Sequence, residues 1–213
     1  MIRIAGAGLA GLATAWELVK RGSEVTVHDA AEPGAGSVSR YAGGMLAPFC
    51  EGESAEDEVV RLGRQAADWW AEITPVTRRG TLVVAPQRDR AELTRFARRT
   101  KGHRLISTAE ITELEPALGG RFSQGLFFAE EAHLDPRRAL LDLEAKLVKL
   151  GVEIHYGTPA PEDVELVCTG GAAALPDLRP VRGEMAILYA PDVQITRTLR
   201  LTDLALLAAK AST

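Results

Sequence analysis

Ile2-Arg3-Ile4-Ala5-Gly6-Ala7-Gly8-Leu9-Ala10-Gly11 decides the fold of this chain. A short apolar strand runs straight into a glycine-spaced turn, and the turn opens a helix. Leu12, Ala15, Trp16 and Val19 recur at helical spacing and carry that helix from Leu9 to Arg21. Gly22 stands where a left-handed residue ends a helix. Val25-Thr26-Val27-His28-Asp29 then reads as a β-branched strand that closes on a carboxylate, 23 residues after Gly6. Gly6 suits the tight turn, Gly8 leaves room for a pyrophosphate to approach the backbone, and Gly11 lets helix and strand pack closely. The N–H groups of Leu9 and Ala10, with the positive end of the helix dipole, face the same anion. Asp29 is placed to take the adenosine ribose hydroxyls, which favours NAD or FAD over a 2′-phosphorylated cofactor.

Further small-residue clusters favour the larger of the two. Gly34-Ala35-Gly36-Ser37, Ala42-Gly43-Gly44-Met45-Leu46-Ala47-Pro48 and Cys168-Thr169-Gly170-Gly171 suit an extended cofactor that runs across a sheet edge. Between them the pattern predicts one amphipathic helix over Ser54–Ile73, opened by a Ser54/Asp57 capping box. The Trp69-Trp70 pair in it reads as packing. A strand over Gly80–Ala85 and helices over Asp89–Arg99 and Ser107–Leu114 follow, the second with a Ser107/Glu110 capping box. Asp135-Pro136 starts a helix that stops at Gly151. Strands are expected over Val152–Tyr156, Glu165–Cys168 and, after a turn at Arg182-Gly183, Glu184–Tyr189. This order gives an α/β fold: a Rossmann-like FAD-binding domain with an interleaved α+β substrate domain. The expected boundaries are 1–75 and 131–180 for the first and 76–130 and 181–213 for the second.

Composition narrows the partners. Across 213 residues, 25 Lys and Arg against 29 Asp and Glu leave a net charge of −4, with no global pull toward nucleic acid or an anionic membrane. No apolar run approaches the ~20 residues of a membrane-spanning helix. The N-terminus has no basic leader ahead of its first strand, so a cytoplasmic protein is expected. Between Arg78 and Arg104, eight Arg and one Lys face only Asp89 and Glu92. Without interleaved aromatics that run reads as a solvated helix face. His28, His103, His133 and His155 show no metal or triad spacing, so no metal is expected. Cys50 reads as an ordinary small residue.

The fingerprint, Ala42–Pro48, Arg79-Gly80-Thr81-Leu82 and His133-Leu134-Asp135-Pro136 together resemble the D-amino-acid oxidase superfamily, and within it the glycine oxidases of thiamine biosynthesis. The likeness runs from residue 1 to about 201. It implies noncovalent FAD and a substrate domain with an antiparallel sheet. It implies oxidation of glycine or another small amino acid or amine to an imine, with O2 reduced to H2O2. By position, Gly6, Gly8, Leu9, Ala10 and Gly11 would hold the pyrophosphate and Asp29 the ribose. Ser37, Ser39 and Arg40 would meet phosphate. Gly43, Gly44 and Met45 would approach the isoalloxazine, and Thr169 and Gly170 would lie near the cofactor. The resemblance also implies a chain lacking its C-terminal third, with Thr202–Lys210 helix-prone where strand-forming sequence is expected. That third would carry the arginine that clamps a substrate carboxylate. Arg182 and Arg200 read as surface or turn residues, and no catalytic residue is assigned. Two other readings stay open: a nonenzymatic remnant that at most binds FAD or adenine nucleotide, and an NAD-linked dehydrogenase. Homo-oligomerisation is also open.

Overall fold

Apolar strands alternate with amphipathic helices at the two ends of the chain, and a β-rich stretch interrupts them. The result is two units built from nested segments. Unit one comprises Met1–Ala42 and Pro136–Ala186, and unit two comprises Gly43–Asp135 and Ile187–Thr213. The computed structural model describes residues 1–35, 37–173, 175–179, 181, 183–201 and 204–206, the last three through their backbone.

In chain order the elements begin with β1 (Ile2–Ala5), α1 (Leu9–Lys20) and β2 (Val25–Asp29). Then come β3 (Met45–Leu46), α2 (Pro48–Glu51), α3 (Asp57–Gly63) and α4 (Ala66–Ala71). β4 (Thr81–Val84), α5 (Arg90–Arg99), β5 (Arg104–Ser107) and α6 (Thr108–Leu114) follow. β6 (Gln124–Phe128), β7 (Ala132–His133) and α7 (Pro136–Lys149) come next. The remainder is β8 (Glu153–Tyr156), β9 (Leu166–Val167), β10 (Thr198–Leu201) and β11 (Leu204–Leu206).

Unit one is a parallel sheet in the order β8-β2-β1-β9. Residues sharing a row share a face, so Ile4, Val27, Ile154 and Leu166 form one apolar row. Helices α1 and α7 pack against each other, burying Leu12, Ala15 and Trp16 from one and Ala139, Leu143 and Leu147 from the other. Each large apolar side chain so buried contributes about 1.5–3 kcal/mol. The opposite sheet face is polar. His28 and His155 stack there, ring centroids 4.8 Å apart, and Arg3 pairs with Asp163 and Glu165 at 2.9 and 2.8 Å.

Unit two is a mixed sheet in the order β11-β10-β4-β6-β5. β4 is buried along its whole length because it has a core on each side. Val83, Leu126 and Phe128 pack with Cys50, Leu93 and Phe96 on one face. Leu82, Val84, Ile106 and Leu199 pack with Ile111 and Leu118 on the other. A separate two-stranded ladder joins β3 to β7.

Several sequence expectations change here. The helix over Ser54–Ile73 is two helices, and Ser54 lies in the preceding turn; the N-cap is Glu56, without a side-chain cap. Gly63 ends the first where a Cβ would come 2.9 Å from Pro48, and Val59 and Leu62, at helical spacing for the expected apolar face, are exposed. Ala67, Trp70 and Ile73 are buried, and Trp69 meets Trp70 edge-on at 4.9 Å, as packing requires. Glu184–Tyr189 forms no strand; Tyr189 is 89% exposed, and no described strand pairs with the segment. Leu204–Leu206, expected as helix, is a strand antiparallel to β10. Thr202, Asp203 and 207–210 of that expected helix, Arg182 and Gly36 lie outside the described residues. Residues 43–75 and 131–135 group with unit two, because β3 pairs β7 and Ala47 and Cys50 enter its core. No helix among the described residues is long and apolar enough to cross a membrane.

The arginine-rich run is largely ion-paired at the surface, with Arg78 on Asp68 at 2.7 Å, Arg99 on Glu53 at 4.0 Å, and Arg95 on Glu92. The Ser107/Glu110 capping box forms in full. The Glu110 carboxylate accepts the Ser107 N–H at 2.8 Å and pairs with Arg104, which together hold its pKa at about 2 instead of 4.5. The stability this adds is complete above the unfolded value of 4.5 and is lost as pH falls toward 2. The melting-temperature gap between the native chain and Glu110→Gln is therefore expected to narrow over that range. A gap independent of pH would overturn this.

Candidate functional site

The first turn is built around Gly6, whose φ of 105° is open to glycine and strained for other residues. Its N–H donates to the His28 carbonyl at 2.7 Å, and a Cβ on it would lie 2.5 Å from the Cys168 carbonyl oxygen. Close approach therefore brings the Cys168-Thr169-Gly170 turn beside the fingerprint. A Cβ on Gly11 would overlap the Gly6 carbonyl oxygen, so both glycines are fixed by backbone-on-backbone packing. Gly8 caps α1 without a side chain, and Leu9 and Ala10 are exposed at the helix start.

Two serines face that start. The Leu9 N–H donates to Ser39 Oγ at 3.1 Å, and the Ser39 N–H donates to Ser37 Oγ at 3.2 Å. A Cβ on Gly8 would meet Ser37 Oγ at 3.2 Å, so the missing side chain lets the serine loop pack this close to the helix start. Arg40 folds back over Gly34 in the same loop. Asp29 terminates β2, with Oδ2 accepting the Ala7 N–H at 2.7 Å and Oδ1 the Ala31 N–H at 2.9 Å. Each carboxylate oxygen keeps further acceptor capacity for a hydroxyl.

A cleft of about 130 Å³ opens beside Asp29, walled by Ala7, Pro33, Ser37, Arg40, Arg137 and Tyr156. It joins three carboxylates (Asp29, Glu32 and Glu144), two guanidinium groups and apolar surface, so it offers acceptors for ribose hydroxyls beside cations for a phosphate. These features fit an adenine dinucleotide: a helix N-terminus whose N-cap glycine supplies no capping side chain, serine hydroxyls beside it and a carboxylate with spare lone pairs. Tyr156 and Arg137 escaped the sequence reading. Tyr156 was legible in principle, since the third strand of this topology runs beside β2, and the register sets Tyr156 opposite Asp29. Its hydroxyl is held protonated by burial and by its hydrogen bond to Glu144.

Unit one thus brings together Gly6, Gly8, Leu9, Ala10, Gly11, Asp29, Ser37, Ser39, Arg40, Thr169 and Gly170. Gly43, Gly44 and Met45 belong to unit two. There Gly44 has φ 71°, its carbonyl accepts the Leu134 N–H at 2.9 Å, and Met45 pairs with His133. Other candidates are committed elsewhere. Arg200 pairs with Glu53 at 3.1 Å and lies over the Phe96 ring. Cys50 is fully buried, and burial raises its pKa so far that no thiolate forms. Burial lowers the pKa of His28, His103 and His133, keeping them neutral.

Comparison with known proteins follows the same lines. The sequence model of the FAD dependent oxidoreductase family, DAO, matches residues 2–205. A protein of Rhizobium etli named as a thiamine biosynthesis oxidoreductase, ThiO, is 48% identical over 208 residues. That match covers 94% of this chain and 64% of the relative, so the chain spans less than two thirds of the relative's length. Among solved structures, glycine oxidase from Geobacillus kaustophilus superposes with a TM-score of 0.60 at 21% identity, over 73% of this chain and 46% of that one. The FAD-bound L-α-glycerophosphate oxidase of Mycoplasma pneumoniae superposes with a TM-score of 0.59 at 22% identity, over 74% of this chain and 44% of that one.

Proposed function

This chain belongs to the FAD dependent oxidoreductase (DAO) family, and we propose that it takes part in oxidising glycine or another small amino acid or amine. The reaction would convert the amine to its imine in the cytoplasm, with O2 reduced to H2O2, in service of thiazole assembly. The observation that carries this reading is the 48% identity to ThiO over 94% of this chain. The NAD-linked alternative loses its support with the family assignment.

Gly6, Gly8 and Gly11 would keep the backbone clear for the pyrophosphate, which the N–H groups of Leu9 and Ala10 would receive. Ser37, Ser39 and Arg40 would close over the same phosphates, with Thr169 and Gly170 alongside. Asp29 would accept the ribose hydroxyls. Gly43, Gly44 and Met45 would present backbone to the isoalloxazine. FAD, when bound, would supply two-electron redox chemistry between the substrate and O2. What remains for the protein is to orient the substrate and to exclude water.

A second reading has its own observation. The chain spans 64% of the relative, which supports a cofactor-binding portion without turnover. Arg197 and Arg200 do not argue otherwise, for both are engaged with carboxylates. The visible spectrum of the purified chain separates the two. Flavin bands that bleach on anaerobic glycine are the expected result. Bands that persist with glycine and other small amines would leave a binding protein, and their absence would overturn the FAD reading for this chain.

A further inference from the structure

Glu131 is 1% exposed, while its neighbour Glu130 lies open to solvent. Its Oε1 accepts the Cys50 N–H at 2.8 Å, 81 residues away. Cys50 sits in the first turn of α2, so Glu131 takes one of the N–H groups that a helix start leaves unpaired. Directly before α2 come Gly43, Gly44 and β3. Directly after Glu131 comes β7, which pairs Met45 with His133 and Leu46 with Ala132. The backbone of Glu131 is itself fixed, its carbonyl accepting the Gly80 N–H at 3.0 Å. Glu131 therefore ties the Cys50 end of the 43–50 stretch to Gly80 at the start of β4, while the residues directly after it, Ala132–Leu134, hold the stretch from Gly44 to Leu46.

A packing role alone does not account for a carboxyl here. Oε2 is buried without a hydrogen bond of good geometry, and so are the hydroxyls of Thr81 and Thr198, which share a row of the sheet. Leaving buried polar atoms half-satisfied is costly, and an apolar side chain would avoid it. Burial pushes the Glu131 carboxyl up from its ordinary value, against the nearby Thr81 hydroxyl and Cys50 and Phe49 N–H groups, which favour the charged form.

Resting on the functional reading above, we propose that Glu131 is a positioning residue for the cofactor ring: through the Cys50 N–H it fixes the conformation in which Gly43, Gly44 and Met45 meet the isoalloxazine. It touches neither substrate nor cofactor. ADP provides the control, because it carries the adenylate half without the ring.

The test measures FAD and ADP affinities of the full chain, together with the spectrum of bound flavin. Glu131→Ala is expected to weaken FAD about tenfold or more and shift the flavin bands, with ADP within about twofold. Glu131→Gln is expected to restore both, since its amide oxygen still accepts the Cys50 N–H. Glu131→Asp draws the carboxylate back by one methylene, should give an intermediate loss, and decides the matter if the alanine variant does not fold. Parallel losses of FAD and ADP, or unchanged FAD binding in whichever of the alanine and aspartate variants folds, would overturn the proposal. A native chain that takes ADP but not FAD would overturn the functional reading, and this inference with it.

Discussion

Replacing Arg197 by alanine is expected to be the most damaging single change to the stability of unit two. Glu115 is wholly buried, and it accepts from Arg197 Nε at 2.8 Å, Thr196 N–H at 3.0 Å and Thr196 Oγ1 at 2.7 Å. Arg197 spends its other donors on the carbonyls of Arg79, at 2.9 Å, and Leu114, at 2.7 Å. Removing one partner of such a pair leaves a buried charge uncompensated, which costs about 3–5 kcal/mol. For a chain of this size that corresponds to a fall in melting temperature of roughly 10 °C. The double variant Glu115→Gln, Arg197→Met removes both charges, and it should cost less than Arg197→Ala alone. Thermal unfolding followed by circular dichroism measures all three. A double variant less stable than the single one would show that the charges contribute net stability.

Gly11→Val is expected to have the largest effect on cofactor loading. Any Cβ at this position meets the Gly6 carbonyl oxygen, which is backbone and cannot swing aside. α1 must then move off the turn and carry the Leu9 and Ala10 N–H groups with it. Overpacking of this kind costs about 1–3 kcal/mol in stability. The displaced helix start should cost at least about a hundredfold in FAD affinity, since the phosphate contacts depend on its position. Gly171→Ala is the matching control, because a Cβ there meets nothing within 4 Å. The flavin-to-protein ratio after purification reads both variants. A yellow Gly11→Val protein would contradict the assignment of this turn.

What the sequence made legible is what local chemistry controls. β1, the glycine turn, α1 and β2 occupy consecutive residues, so spacing alone fixed their order and the position of Asp29. The Ser107/Glu110 capping box was readable for the same reason: donor and acceptor are three residues apart. Non-local pairing was not readable. β5, β6 and β10 gave no clear periodic signal, because β6 is mostly buried while β5 is mostly exposed. Leu204–Leu206 has helix-favouring residues and becomes a strand only because β10 lies beside it. Glu184–Tyr189 shows the converse, a strand-like pattern without a described partner. Glu131 was invisible since nothing local separates it from Glu130. Only the return of the chain to β4 and α2 buries one and leaves the other outside.

The pairing of β10 with β4 also bears on how the chain is made. Thr81 pairs with Thr198, so β4 leaves the ribosome long before its neighbour exists. Until then one of its edges carries unpaired N–H and C=O groups beside Leu82, Val83 and Val84, an invitation to the wrong strand. Unit one waits as well, because β8 and β9 are synthesised after the middle of unit two. Neither unit can finish before the other has begun. Such nested, long-range closure slows folding and prolongs exposure of sticky edges. Synthesis halted ahead of Thr198 should therefore yield aggregating chains, and holding chaperones should matter most for that interval.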